Sequence, residues 1–444
     1  MKKTIKLAVV AALALGATSA FATNGSVMIG VGAKSRGMGG VGIATGMGAE
    51  SGYNNPALIT SIKGDNEISF GGTLFMPEID VTNTLNMGAA GSTATESEES
   101  DADMFVIPSV SLASKINDNW YWGLGMWGAG GLGTDFRDTN PMDTSDGVAS
   151  GVDGAHMNIV TALQLMQFGV PVAYTTSGFS VGFTPIVQYS SLDIDYRFNA
   201  GPSGALPSYG AGDEIDAGAG VADDLAFGFN IGLAYEISGL TVGAMYKSEI
   251  TFDVDDVLTS AATPFVNPTI NPNGYTQDEM STPEQYGVGI SYTTGSHTLA
   301  VDWKFINWED AEVYQDFGWE DQDVIAIGYE YATDKWALRC GYQYAESAVQ
   351  EQDVAFNGSG QETNYNSAGL SAGTVNTFNL LGFPGTQESH VTIGGTYAFN
   401  ETLSMDMAAV LGLENDETFT NFTGQEVETE HTERSVSIQL NYAF

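Results

Sequence analysis

The last ten residues, Ser435–Phe444, alternate without a break. Val436, Ile438, Leu440, Tyr442 and Phe444 are apolar, and Ser435, Ser437, Gln439, Asn441 and Ala443 between them are polar or small. A period of two puts every large apolar side chain on one face of a strand. Ten residues is also the length, ~9–11, of a tilted strand that crosses a bilayer. Segments of the same kind recur at 66–81, 104–117, 119–132, 157–174, 179–198, 224–236, 240–254, 284–293, 297–313, 321–332, 335–348, 387–399, 402–414 and 430–444. That is fourteen strands, an even number that returns both termini to one side of a membrane.

The connections are unequal. Asn117-Asp118-Asn119, Thr175-Thr176-Ser177-Gly178, Ile237-Ser238-Gly239, Thr294-Gly295-Ser296, Thr333-Asp334-Lys335 and Asn400-Glu401-Thr402 have hairpin chemistry. Long polar stretches lie between them near 82–103, 133–156, 199–223, 255–282, 314–320, 349–386 and 415–429. Short turns on one rim and long loops on the other are the asymmetry of an outer-membrane barrel. Trp120, Trp122, Tyr174, Tyr235, Tyr292, Tyr331 and Tyr397 all fall near the short turns, as an interfacial aromatic girdle requires. A soluble β-sandwich or propeller has no need of aromatics at every turn of one rim.

Composition agrees. The chain holds 55 glycines and 11% aromatics, and only 16% of it is charged, against a usual ~25%. Lys2, Lys3 and Lys6 precede the uncharged run Leu7–Ala22, which closes on Ala20-Phe21-Ala22. This reads as a signal peptide over 1–22, too short for a spanning helix. Export and a barrel together place the protein in the bacterial outer membrane, and the terminal strand ending in Phe444 resembles the signal read by the barrel-assembly machinery.

The formal net charge of −41 argues against nucleic acid as a partner. Acids mass at Glu96–Asp103, Asp213–Asp224, Glu309–Asp323 and Glu414–Glu433. They read first as solvated loops, with divalent-cation bridging to outer-membrane lipids as the sharper expectation. Cys340 is a lone cysteine, so no intramolecular disulfide or C-x-x-C site is expected. No metal or cofactor site is assigned.

Residues 23–62 precede the first strand and are rich in small residues. Gly37, Gly39 and Gly42 match G-x-G-x-x-G, but no strand leads into them and no βαβ unit surrounds them. Compact backbone suits a plug, and a barrel of fourteen strands is wide enough to leak without one. The expected division is a signal peptide over 1–22, a hatch over 23–62 and a barrel over 63–444, in a monomer.

Asn54-Asn55-Pro56-Ala57-Leu58-Ile59-Thr60 follows that glycine-rich segment. It resembles the hatch signature of the FadL-type outer-membrane long-chain fatty acid transporters, carried by Asn55, Pro56 and Ala57. Leu240–Ser248 is similar to a strand of that family, and Val301–Glu309 is a weaker match. The resemblance implies passive uptake of a hydrophobic ligand from outside into a lumenal apolar pocket, followed by rearrangement of the hatch. It also implies an inward kink in the third strand that opens a passage through the wall. Gly123, Gly125 and Gly128 are the candidate kink residues, because glycine makes a bend or bulge inexpensive.

A fatty acid needs a partner for its carboxylate. Strand parity sets Lys247 against Leu240, Val242, Ala244 and Tyr246. By the same parity Lys304 opposes Leu299, Val301, Trp303 and Phe305, and Arg339 opposes Leu338, Cys340, Tyr342 and Tyr344. A lipid-facing cation at the midplane costs ~2–4 kcal/mol, so all three are expected in the lumen and Cys340 toward lipid. Arg197, near a strand end, is a fourth candidate. The plainer reading pairs these cations with lumenal acids such as Asp302 or Glu249.

Three other functions compete with this one. An aromatic-hydrocarbon channel needs no cation, and a general diffusion porin needs an unplugged lumen. An embedded lipase or protease needs a catalytic constellation. His156, His297, His390 and His431 have no evident Ser or Asp company, so no catalytic residue is assigned.

Overall fold

The computed structural model describes residues 23–86, 93–137, 157–199, 214–358 and 360–444. The expected signal peptide, His156 and parts of three long loops lie outside the described residues. Fourteen antiparallel strands close into one barrel. They are β1 Asn66–Asn86, β2 Phe105–Lys115, β3 Trp120–Leu132, and β4 Met157–Gly169, which resumes as Val172–Thr176. There follow β5 Phe179–Asn199, β6 Ala222–Ile237, β7 Leu240–Lys247, β8 Gln285–Thr294 and β9 His297–Ile306. The circuit ends with β10 Gln322–Ala332, β11 Trp336–Tyr344, β12 Ser389–Ala398, β13 Leu403–Thr420 and β14 Glu426–Ala443. Closure is the long β14–β1 ladder, from Ala443↔Glu67 to Val427↔Asn83.

The wall is inside-out relative to a soluble protein. In β8, Gln285, Gly287, Gly289 and Ser291 are buried, while Val288, Ile290 and Tyr292 are exposed. Lipid takes the place of water around the outer face, so apolar side chains point outward and small or polar ones inward. Two of the periplasmic turns show their chemistry directly. Ser177 and Gly178 have φ of 48° and 83°, and Ser238 and Gly239 have 53° and 84°. A two-residue hairpin of type I′ needs both central residues at positive φ.

Several sequence boundaries are corrected. Part of what reads as polar loop continues the ladder above the membrane. Thr93–Glu99 pairs with the top of β1, Glu214–Gly218 with the top of β5, and β13 runs on to Thr420. These extensions have water on their outer face, so the apolar contrast that marks a membrane strand is missing. They bring Asp416, Glu430, Asp80 and Glu99 into one lateral row. Conversely, the run expected at 240–254 splits. The barrel strand stops at Lys247, and Ile250–Asp253 pairs with Glu279–Thr282 in a separate two-stranded sheet.

The hatch fills the lumen with short elements: α1 Ala33–Arg36, α2 Ser51–Asn54 and a 3-10 turn over Pro56–Ser61. Its backbone lies directly on the wall. A β-carbon on Gly341 would overlap the Gly39 amide, one on Gly243 would overlap the Ile43 carbonyl, and one on Gly394 would fall 2.9 Å from the Gly37 Cα. Glycine in the wall makes this approach possible, and two of the three contacts have glycine in the hatch as well.

The outer mouth carries α3 Val257–Ala262 and α4 Ala372–Gly382. Every residue of α4 is buried, so its end carbonyls must find partners. Leu380 O accepts from Thr429 Oγ1 at 3.0 Å, Leu381 O from Thr134 Oγ1 at 2.6 Å, and Gly382 O from Thr161 Oγ1. Threonines on the wall thus cap a helix lying across the mouth.

Candidate functional site

The Asn55-Pro56-Ala57 motif is a clamp. Asn55 Oδ1 accepts from the Ala57 N–H at 3.0 Å and Pro56 starts the 3-10 turn, where its missing N–H is harmless. Asn55 Nδ2 reaches the Ile43 carbonyl at 2.7 Å and the Leu233 carbonyl of β6 at 3.1 Å. One side chain therefore ties two parts of the hatch to each other and to the barrel. Nearby, Asp302 of β9 accepts from the Gly42 and Ile43 amides at 2.7 and 2.8 Å.

Beside this clamp lies a small central pocket. Val27, Met28, Ile43, Met245, Val324 and Ala326 give it apolar walls, and Lys247, Lys304, Asp302, Gln285 and Asn54 line it too. Its open volume is about 30 Å³, no more than the share of one or two waters. Lys247 and Lys304 stand on β7 and β9, the strands flanking β8. Between them β8 offers only Gln285, Gly287 and Gly289 to the interior, which leaves room for both ammonium groups. Among the described residues neither lysine has a carboxylate within 4.0 Å. Asn54 Nδ2, Gln285 Oε1 and Asp302 Oδ1 are buried without a hydrogen-bond partner. Buried polar atoms are normally paired, so these three can take a partner from outside the chain, a water or a polar group of a ligand.

Other cations sit differently. Arg339 faces the lumen but is held by Glu330 at 2.6 Å and Asp406 at 3.6 Å. Arg197 is on the exposed upper part of β5, 2.8 Å from Asp216. Glu249 is exposed, and Asp302 bonds the hatch amides rather than forming an ion pair with Lys304. Cys340 is exposed on the outer face.

Strand β3 parts from β2 halfway up while staying paired to β4 as far as Leu132. Its last pairing with β2 is Trp127↔Ser109. Lys115 donates its N–H to Asp65 of the β1 side and Ile116 to Trp120 of the β3 side. Bonding direction alternates along a strand, so Pro108 turns its nitrogen toward β3, and proline has no N–H to give. The ladder ends there. Beyond it Gly130 pairs with Val27 of the hatch, and Gly131 N–H donates to Ser26 O at 2.9 Å. Trp127–Leu132 are all buried rather than alternating, as expected of a segment turned inward. Gly128 lies at the departure, with a register shift against β4 between Gly128 and Gly130. Gly123 and Gly125 lie lower, still paired to β2. Gly125 has a separate task, since a side chain there would overlap the Trp127 ring. Among the described residues the upper half of β2, Phe105–Pro108, pairs with β1 alone.

A second apolar pocket lies at the outer mouth between α3 and α4, lined by Leu258, Phe265, Tyr275, Phe317, Leu370 and Phe378. Burial, with Asp316 adding to it, pushes the Tyr275 hydroxyl up from its ordinary value. It therefore remains a donor, to Asp316 Oδ2 at 3.0 Å. Sequence reasoning missed this mouth, the Asp302 grip on the hatch, and an aromatic cap made by Trp308, Tyr314 and Trp319 over Gly25 and Ser26. The crowding of aromatics at 308–319 was the available signal.

A plugged fourteen-strand barrel with buried apolar pockets and an outward apolar belt defines an outer-membrane transporter of hydrophobic compounds rather than an enzyme. The comparisons agree. Residues 7–371 match the family described as outer membrane protein transport protein (OMPP1/FadL/TodX), and the chain belongs to that family. It is 25% identical to the long-chain fatty acid transport protein of Escherichia coli O6:H1 over 398 residues, covering 80% of this chain and 79% of that one. The fold is similar to the P. putida toluene transporter TodX, with a TM-score of 0.65 at 19% identity over 94% of this chain and 99% of that one. It is also similar to a Pseudomonas aeruginosa FadL homologue, with a TM-score of 0.64 at 14% identity over 95% of this chain and 100% of that one.

Proposed function

We propose that this channel admits long-chain fatty acids passively, holding the carboxylate at Lys247 and Lys304 in the central pocket. The observation that carries this reading is a pair of lysines at one cavity with no ion pair to either among the described residues, the nearby Asp302 being held by the hatch amides. A carboxylate would take a charge-assisted hydrogen bond from each, and Asn54 Nδ2 is a third free donor at the same cavity. Arg339 and Arg197 are the weaker candidates, because each already faces a carboxylate. The relative named for long-chain fatty acid transport supports the same ligand class.

The pocket is too small for an alkyl chain as it stands, so loading requires the hatch to move. The Asn55 and Asp302 contacts are the bonds such a movement strains. Exit is sideways, between the unpaired upper edge of β2 and the inward segment of β3, into the membrane. Glycines 123, 125 and 128 and Pro108 shape that opening.

Similarity to a toluene transporter makes neutral aromatic hydrocarbons the second reading. Replacing Lys247, Lys304 and Arg339 singly by Met, with oleate affinity measured on detergent-purified protein, separates the two. The fatty-acid reading expects a loss of about tenfold or more at Lys247 or Lys304, the weight of one charge-assisted bond. Unchanged affinity in all three variants would remove it in favour of a neutral ligand.

A further inference from the structure

Tyr53 is a hatch side chain that touches both the central pocket and the inward segment of β3. Its ring lines the pocket, with Lys247 Nζ 3.5 Å from the ring centroid. Its far side meets Trp127, centroids 5.7 Å apart, and its hydroxyl donates to the Ala129 carbonyl of β3 at 3.3 Å. Trp127 is the residue at which β3 parts from β2. Tyr53 therefore stands across the line from the pocket to the opening in the wall.

We propose that Tyr53 is the gate of that passage, held shut by Lys247 on its ring and opened when a ligand carboxylate takes over the ammonium. This rests on Lys247 being a ligand-binding residue. The chemistry of the exchange is near balance, because a desolvated cation–π contact and a charge-assisted hydrogen bond have similar strengths. Burial of the ligand's alkyl chain then tips it toward opening.

The backbone around Tyr53 is anchored separately from its side chain, which is held by Lys247, Trp127 and the Ala129 carbonyl. Gly52 O accepts from Thr184 Oγ1 at 3.2 Å, and Tyr53 O accepts from Asn230 Nδ2 at 3.3 Å. Rotation of the ring can thus clear the passage without unseating the hatch from β5 and β6. The device also selects. A neutral molecule of the same length brings no anion to exchange for the ring, so it leaves the gate closed.

The test is uptake of radiolabelled oleate and of its neutral methyl ester by a bacterial host lacking a fatty-acid channel of its own. The full-length protein is compared with Tyr53→Phe, which keeps the ring, and with Tyr53→Leu, which removes it. Tyr53→Met serves if the Leu variant does not reach the membrane as a folded barrel. The wild type and Tyr53→Phe should favour oleate over the ester by about tenfold. The ring-less variant should raise ester uptake by about the same factor and erase the preference. A ring-less variant with the wild-type preference, or a wild type with none, overturns the gate. Failure of the underlying reading looks different: the wild type would take up no more oleate than the host alone, or Lys247→Met would leave oleate affinity unchanged.

Discussion

Asn55 Oδ1 occupies the space that a side chain on Gly232 would need. The hatch motif is thus seated on the wall at a point that only glycine leaves open. Gly232→Val should unseat it. Overpacking of this kind typically costs ~1–3 kcal/mol, and here the strain falls on the Asn55 clamp rather than on the barrel ladder. Planar-bilayer recordings should show frequent open events absent from the wild type, while the lipid-facing Leu233→Ala should record like the wild type. A quiet Gly232→Val channel would mean that the hatch is held elsewhere.

Asp302 grips the hatch from β9, three strands along the wall from Gly232. Asp302→Ala leaves the Gly42 and Ile43 amides without acceptors, at ~1–3 kcal/mol for each buried donor. Hydrogen exchange in peptides spanning residues 38–47 should quicken by at least about tenfold, with exchange in β13 and β14 unaffected.

How much of this was readable in advance follows from what period two can report. Wherever one face meets lipid and the other the lumen, parity decides direction. Lys247, Lys304 and Arg339 therefore turn inward and Cys340 outward, as their neighbours require. Above the membrane the same alternation loses its contrast, and Thr93–Glu99 reads as loop although it pairs with β1. Ile250 and Phe252 keep the rhythm of β7 and yet leave the barrel for a separate small sheet, a tertiary choice with no local mark. Contacts between the hatch and distant strands, such as Tyr53 with Lys247, have no sequence signature at all, because nothing near either residue names the other.

Pro108 withholds a donor from the edge that faces β3. Pro108→Ala restores an N–H there, so one further rung toward Gly128 becomes available. The expected result is uptake of oleate reduced by several-fold with oleate affinity unchanged, since the opening narrows while the pocket is untouched. A fall in affinity instead would assign Pro108 to the pocket.

Threonines cap α4 across the outer mouth. Thr134→Val strips the Leu381 carbonyl of its hydroxyl partner, which costs ~1–3 kcal/mol when a buried acceptor is left alone. Faster hydrogen exchange within residues 372–382, with no change in the β8–β9 ladder, would confirm that the helix is secured from the wall.

The most direct check on the account is crystallographic. A terminally brominated long-chain fatty acid soaked into the crystallised protein reports its position through the anomalous signal of bromine. The carboxylate should lie within hydrogen-bond distance of both Lys247 Nζ and Lys304 Nζ, with the bromine directed toward Trp127 and the inward part of β3. Bromine confined to the outer-mouth pocket, or a carboxylate on Arg339 with the two lysines untouched, would contradict it.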